Sequence, residues 1–117
     1  MTDKELLELA AKAAGYEDLK KNMQGFYRVI GEHEDGLLCM AEWNPLTDDG
    51  DALRLAVKLR MAIEYDSEYL DQPAKNVYVQ AQGYDAFEPL CYDPYAATRR
   101  AIVRAAAEIG KTIGETK

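Results

Sequence analysis

Three acids crowd one short stretch, Asp48-Asp49-Gly50-Asp51, and no other segment of this chain looks better suited to metal chemistry. Carboxylate oxygens this close together suit a hard cation such as Mg²⁺, Mn²⁺ or Ca²⁺, so a metal-dependent enzyme using Asp48, Asp49 and Asp51 is one reading. An EF-hand, however, places ligands at alternate positions of a loop of about 12 residues and closes it with a bidentate Glu. The residues after Asp51 do not follow that pattern. The acids also lead into an apolar periodic segment, where carboxylates cap a helix and meet the positive end of its dipole. A capping role for Asp48 and no bound metal is the expectation.

Nucleophilic and general-base chemistry has even less to work with. His33 is the lone histidine and sits among Glu32, Glu34 and Asp35, which suits a solvated turn better than a catalytic or zinc-binding position. Ser67 is the only serine and no G-x-S-x-G surrounds it, which argues against a serine triad. Cys39 and Cys91 lie far apart without a C-x-x-C partner, so both are expected to be reduced, buried and inert. Neither G-x-G-x-x-G nor G-x-x-x-x-G-K-[ST] occurs, and no cofactor is expected.

Cations and aromatics offer surfaces instead. Arg100, Arg104 and Glu108 repeat at i, i+4, with Arg99 beside them and Lys111 near the same row, so an exposed face supported by an Arg104–Glu108 pair is expected. Eight tyrosines, with Phe26, Phe87 and Trp43, make the strand-like segments aromatic. Aromatic faces stack on bases or anchor protein interfaces. Arg99, Arg100, Arg104, Tyr78 and Tyr84 are therefore the candidate interaction surface. The helix-β-β-β-helix order of the second half also matches that of a double-stranded-RNA-binding domain, which sets basic residues at the start of its last helix against phosphates. A lysine cluster there and a Gly-Pro-x-His loop are both missing, so nucleic acid is the weaker reading.

Periodicity supplies the elements that must position these groups. Residues 2–14 read as a helix, with Thr2 and Glu5 at capping-box spacing, Leu6, Leu9, Ala10 and Ala13 inward, and Gly15 as the stop. Residues 25–30 and 37–43 read as two strands around a charged turn at 31–36, and Asn44-Pro45 ends the second. A helix begins near Thr47 or Asp48, with Ala52, Leu55, Ala56 and Leu59 on one face. Residues 61–65 alternate as a strand, 66–75 form a polar loop and 76–82 give the clearest strand. A turn is placed at Gly83-Tyr84-Asp85 and a further strand at 86–92. Asp93 and Pro94 open the last helix, whose inward stripe is Ile102, Ala105, Ala106, Ile109 and Ile113. The order α-β-β-α-β-β-β-α predicts an α+β fold, a sandwich of the α/β/α type with three amphipathic helices on a mainly antiparallel sheet.

Bulk properties bound the function. One domain fits 117 residues, and charges interrupt every apolar run well short of the roughly 20 residues a membrane span needs. The acidic start, Met1-Thr2-Asp3-Lys4-Glu5, is unlike an export signal, so a cytoplasmic location is expected. The net charge of −7 works against general phosphate binding. Its distribution is uneven, with 18 acidic and nine basic side chains through residue 92 and three acidic and five basic beyond it.

Two blocks carry a family resemblance: Trp43-Asn44-Pro45-Leu46 with Asp48-Asp49-Gly50-Asp51-Ala52-Leu53-Arg54-Leu55-Ala56, and Ala97-Thr98-Arg99-Arg100-Ala101-Ile102-Val103-Arg104-Ala105-Ala106. They resemble the small bacteriophage and prophage proteins of the phage ABA-sandwich domain family. With the opening helix they span under half the chain, and residues 16–42 and 66–92 give no comparable match. The resemblance implies an α/β/α sandwich over residues 1–117 and expression in an infected bacterial cytoplasm. It carries over no catalytic residue. The expected function is a non-enzymatic accessory module that binds a host or phage protein.

Overall fold

The computed structural model describes residues 1–16, 20–22, 25–32, 34–67, 71–91 and 93–115. Its elements are α1 (Asp3–Ala14), β1 (Lys20–Asn22), β2 (Gly25–Glu32), β3 (Leu38–Trp43), α2 (Asp49–Lys58), β4 (Ala62–Tyr65), β5 (Asn76–Ala81), β6 (Tyr84–Pro89) and α3 (Pro94–Glu115). The class is α+β and the order follows the sequence expectation, with the short strand β1 added before the first hairpin. The strands divide into two antiparallel sheets, β1-β2-β3 and β4-β5-β6.

Helix ends are set by side chains. The Thr2 hydroxyl accepts the Glu5 N–H at 3.2 Å at the start of α1. Asp48 Oδ2 accepts the Asp51 N–H at 2.8 Å to open α2. Asp93 Oδ1 accepts from the Tyr95 and Ala96 N–H groups at 3.0 and 3.1 Å, ahead of Pro94 in the first position of α3. Each carboxylate or hydroxyl thus answers amides that the first helical turn leaves unpaired.

The core forms where α1 and α3 cross. Ala10, Ala11 and Ala14 of α1 meet a helix whose inward side carries Ala101, Val103, Ala105, Ala106 and Ala107, all buried. Small side chains let the two backbones approach closely. At Gly110 the approach is so tight that an added Cβ would overlap the Leu9 carbonyl oxygen. The inward side of α1 is centred further round than its spacing suggests: Leu7, Ala11 and Ala14 are buried, while Leu9 and Ala13 are half-buried. Ile113 leaves the expected stripe and is 46% exposed. Periodicity marks which side of a helix faces inward but not how far its neighbour reaches.

On the β4-β5-β6 sheet, Val77, Val79, Ala81 and Ala86 point into this core and pack toward α3. Strands β5 and β6 are joined by a two-residue turn at Gln82-Gly83, not at Gly83–Asp85, and β6 runs over 84–89 instead of 86–92. Both turn residues have positive φ, 51° and 86°. Such a pair matches the right-handed twist of the strands, and glycine supplies half of it without strain. Cys91 consequently lies past the end of β6 as an exposed free thiol, not as a buried strand residue.

The β1-β2-β3 sheet is an arm. Among its described side chains only Phe26 and Trp43 are buried, and these two are register partners at its base. The Trp43 and Tyr16 rings meet edge-to-face, with centroids 5.6 Å apart and planes at 88°, and Lys58 lies 5.4 Å from the Tyr16 ring centre. That cluster joins arm, α1 end and α2. Extents of 55 × 34 × 24 Å record the elongation. No helix among the described residues is long and apolar enough to cross a membrane.

Candidate functional site

The acids of residues 48–51 do not converge. Asp48 is occupied by capping, with Arg54 at 3.8 Å. Asp51 is buried, and its two oxygens accept from the Asn44 N–H at 2.9 Å and from Arg54 Nη2 at 2.8 Å. The hydrogen bond to Asp51 raises the Arg54 pKa above its ordinary value, against a smaller opposing effect of desolvation. Asp49 turns the other way and pairs with Arg99 Nη1 at 2.6 Å. An open cleft of about 560 Å³ lies between β3 and the start of α2, lined in part by Glu42, Asn44, Asp48 and Arg54. Two of its acids, Asp48 and Asp51, are already bonded to backbone amides and paired with Arg54. Among the described residues no group of three or more His, Cys, Asp or Glu is placed to hold a metal ion. His33 and the Cys39 side chain lie outside what is described.

The three arginines of α3 each reach a different element. Arg99 Nε donates to the Leu46 carbonyl at 2.8 Å while its Nη1 holds Asp49, and its side chain is only 16% exposed. Arg100 pairs with Asp3 at 3.0 Å, at the start of α1. Arg104 Nη1 donates to the Phe87 carbonyl at 2.9 Å and to Glu88 at 3.2 Å, both on β6. The Arg104–Glu108 pair expected from spacing gives way to these partners, and Glu108 pairs with Lys111 at 3.4 Å. Spacing along one helix cannot show that a strand end lies within closer reach. A mixed-charge cleft of about 500 Å³ beside them is lined in part by Tyr84, Arg100, Arg104 and Glu108.

Tyr78 and Tyr84 stand on opposite faces of one sheet. Tyr84 is half-buried and packs against the core. Tyr78 points away from the helices. Register places two rows across that outer face, Glu64–Tyr78–Phe87 and Ala62–Gln80–Asp85. All six residues are exposed, Tyr78 at 43% and Phe87 at 56%. The two rings stack with centroids 5.9 Å apart and planes 28° from parallel. A shallow groove of about 130 Å³ runs along them, bounded also by Gln80 and Asp85.

Of the five residues singled out from sequence, the structure thus brings Arg100, Arg104 and Tyr84 to one cleft and sets Arg99 and Tyr78 apart from it. Sequence reasoning missed Phe87, Glu64 and Asp85 as neighbours of Tyr78. For Phe87 and Asp85 the signal was the turn: a two-residue connection at 82–83 pairs residue 81 with 84, and counting back pairs 80 with 85 and 78 with 87. Glu64 is placed by the β4–β5 register, which that turn does not set.

Compared with known protein families, curated proteins and solved structures, the chain matches none.

Proposed function

We propose that this chain is a non-enzymatic accessory protein of a phage or prophage, and that it binds a host or phage protein through the outer face of the β4-β5-β6 sheet. The observation that carries the reading is the stacked, exposed pair Tyr78–Phe87 on a face that no described element covers. Large aromatics at the centre of a patch with a polar surround are the usual energetic anchors of protein interfaces. A phage or prophage origin is supported by the two sequence blocks that resemble the phage ABA-sandwich domain family.

Geometry also weighs on the other readings. Phosphate binding by Arg99, Arg100 and Arg104 requires each to leave a partner within the molecule. Metal-dependent catalysis by Asp48, Asp49 and Asp51 requires carboxylates that now serve a helix start and two arginines.

Affinity capture from a phage-infected or lysogenic bacterial lysate tests the reading, comparing the natural chain with Tyr78→Ser/Phe87→Ser. Both side chains are exposed, so the double variant is expected to keep its fold by circular dichroism. Loss of a captured protein in the variant is the expected outcome. An unchanged set of bound proteins overturns the assignment.

A further inference from the structure

We infer that the outer face of β4-β5-β6 is built for a basic protein segment, one that sets two cations on either side of an apolar side chain. This rests on the reading of that face as a protein-binding surface and adds the chemistry of the partner.

The rows across the face end in acids at opposite edges. Glu64 lies on β4 at one end of the row through Tyr78 and Phe87, and Asp85 lies on β6 at the far end of the neighbouring row. Two strand spacings and one side-chain repeat separate them by about 12 Å. The line between them crosses β5 between Tyr78 and Gln80, and the stacked rings flank it on one side, Tyr78 beside Glu64 and Phe87 two residues along β6 from Asp85. No lysine or arginine stands in either row. Nearby Arg104 is already engaged by Glu88 and the Phe87 carbonyl.

Each part of this arrangement favours a cation. An aromatic face attracts a guanidinium or ammonium through its quadrupole, and the alkyl stem of Arg or Lys covers the ring while its head reaches a carboxylate. In an extended segment, side chains four positions apart are about 13 Å apart and point the same way, which matches the span from Glu64 to Asp85. Residues between them then meet Tyr78 and Phe87. A second copy of the chain is a poor occupant, because it would bring its own Glu64 and Asp85 and a net charge of −7 against the same face.

Fluorescence anisotropy provides the test. The probe is a labelled nine-residue peptide with two arginines four positions apart around a leucine, and its control has both arginines replaced by glutamate. Binding of the basic peptide alone is expected, weakening roughly tenfold between about 50 and about 300 mM salt. Glu64→Lys/Asp85→Lys should weaken it by about tenfold or more, as should Tyr78→Ser/Phe87→Ser. Glu34→Lys/Glu42→Lys, on the arm, makes the same change in net charge and should cost far less. Equal losses in the two charge-reversed variants would show attraction to bulk charge only and overturn the inference. A dimer in sedimentation that Phe87→Ser dissolves would assign the face to a second copy, with the same consequence. In the capture experiment, sensitivity to the aromatic pair without sensitivity to Glu64→Lys/Asp85→Lys retains the binding reading and rejects a basic partner. Insensitivity to both rejects the two together.

Discussion

Gly110 is a residue whose backbone surroundings reverse its intrinsic preference. In an isolated helix, alanine is favoured over glycine by about 1 kcal/mol. Here the missing Cβ leaves room for the Leu9 carbonyl, so the two helix backbones can cross in contact. A side chain at 110 would push against backbone rather than against a flexible group, and overpacking of that kind costs about 1–3 kcal/mol. Gly110→Ala is therefore expected to lower the urea midpoint of the intact protein, even though it raises the helicity of a peptide spanning α3. Measuring both separates the effects. A midpoint that rises in the protein would mean that α1 and α3 do not cross as closely as this. Arg99 makes a related point, because its neighbours on α3 do not reveal that the Leu46 carbonyl and Asp49 lie beside it.

At the scale of elements, the Asp66 side chain ties together the two ends of the connection between β4 and β5. Asp66 Oδ1 accepts the Lys75 N–H at 2.7 Å and the Asn76 N–H at 3.1 Å, while Oδ2 accepts from Asn76 Nδ2 at 2.8 Å. It clasps the two ends of the 66–75 loop. These donors, first the Asn76 amide and then the Lys75 N–H, favour the carboxylate and lower its pKa below the ordinary 3.8. A depressed folded-state pKa contributes stability that is present above the unfolded value and is lost as pH falls through the folded one. Asp66→Asn keeps the shape and removes the charge. Its urea midpoint should lie below that of the natural chain near pH 6, and the gap should close as pH falls through about 3.8 toward 2. A gap that is constant over this range would mean that the clasp does not depend on ionisation. The alternation of 76–82 made β5 legible in the sequence, and caps at Thr2, Asp48 and Asp93 made the three helix starts legible. The clasp was not legible, since Asp66 and Asn76 are separated by a loop that only tertiary structure closes. The outer face was half legible: Tyr78 and Gln80 follow from period two, but Phe87 joins them only once the turn is placed at Gln82-Gly83. A turn shifted by one residue re-pairs every residue of the following strand.

At the scale of the whole molecule, burial among the described side chains is concentrated in one body and sparse in the other. Helix α3 is packed by α1, α2, β5 and β6, and its residues 101–103, 105–107, 109 and 110 are buried. The arm is anchored by Phe26 and Trp43, and beyond them Leu37 and Met40 are exposed at 65% and 45%. A radius of gyration of 15.6 Å, against about 13 Å for a compact chain of about 100 residues, fits a globule with a projecting sheet. The β2–β3 ladder also shifts register between Val29 and Gly31, an interruption that locally bends a hairpin and increases its twist. Elements with few buried apolar contacts open without the rest of the molecule, whereas the most enclosed elements exchange only on global unfolding. Native-state hydrogen exchange should therefore find the amides of Ala101–Ile109 and of Val77–Val79 among the slowest, with a steep dependence on urea. Paired amides of Met40–Glu42 should exchange sooner with little urea dependence. Equal protection of arm and α3 would make the two sheets one cooperative unit. With the expected separation, the outer face of β4-β5-β6 belongs to the rigid body. A partner bound there would then slow exchange in β5 and β6 and leave Met40–Glu42 unchanged, so the same measurement locates the bound face.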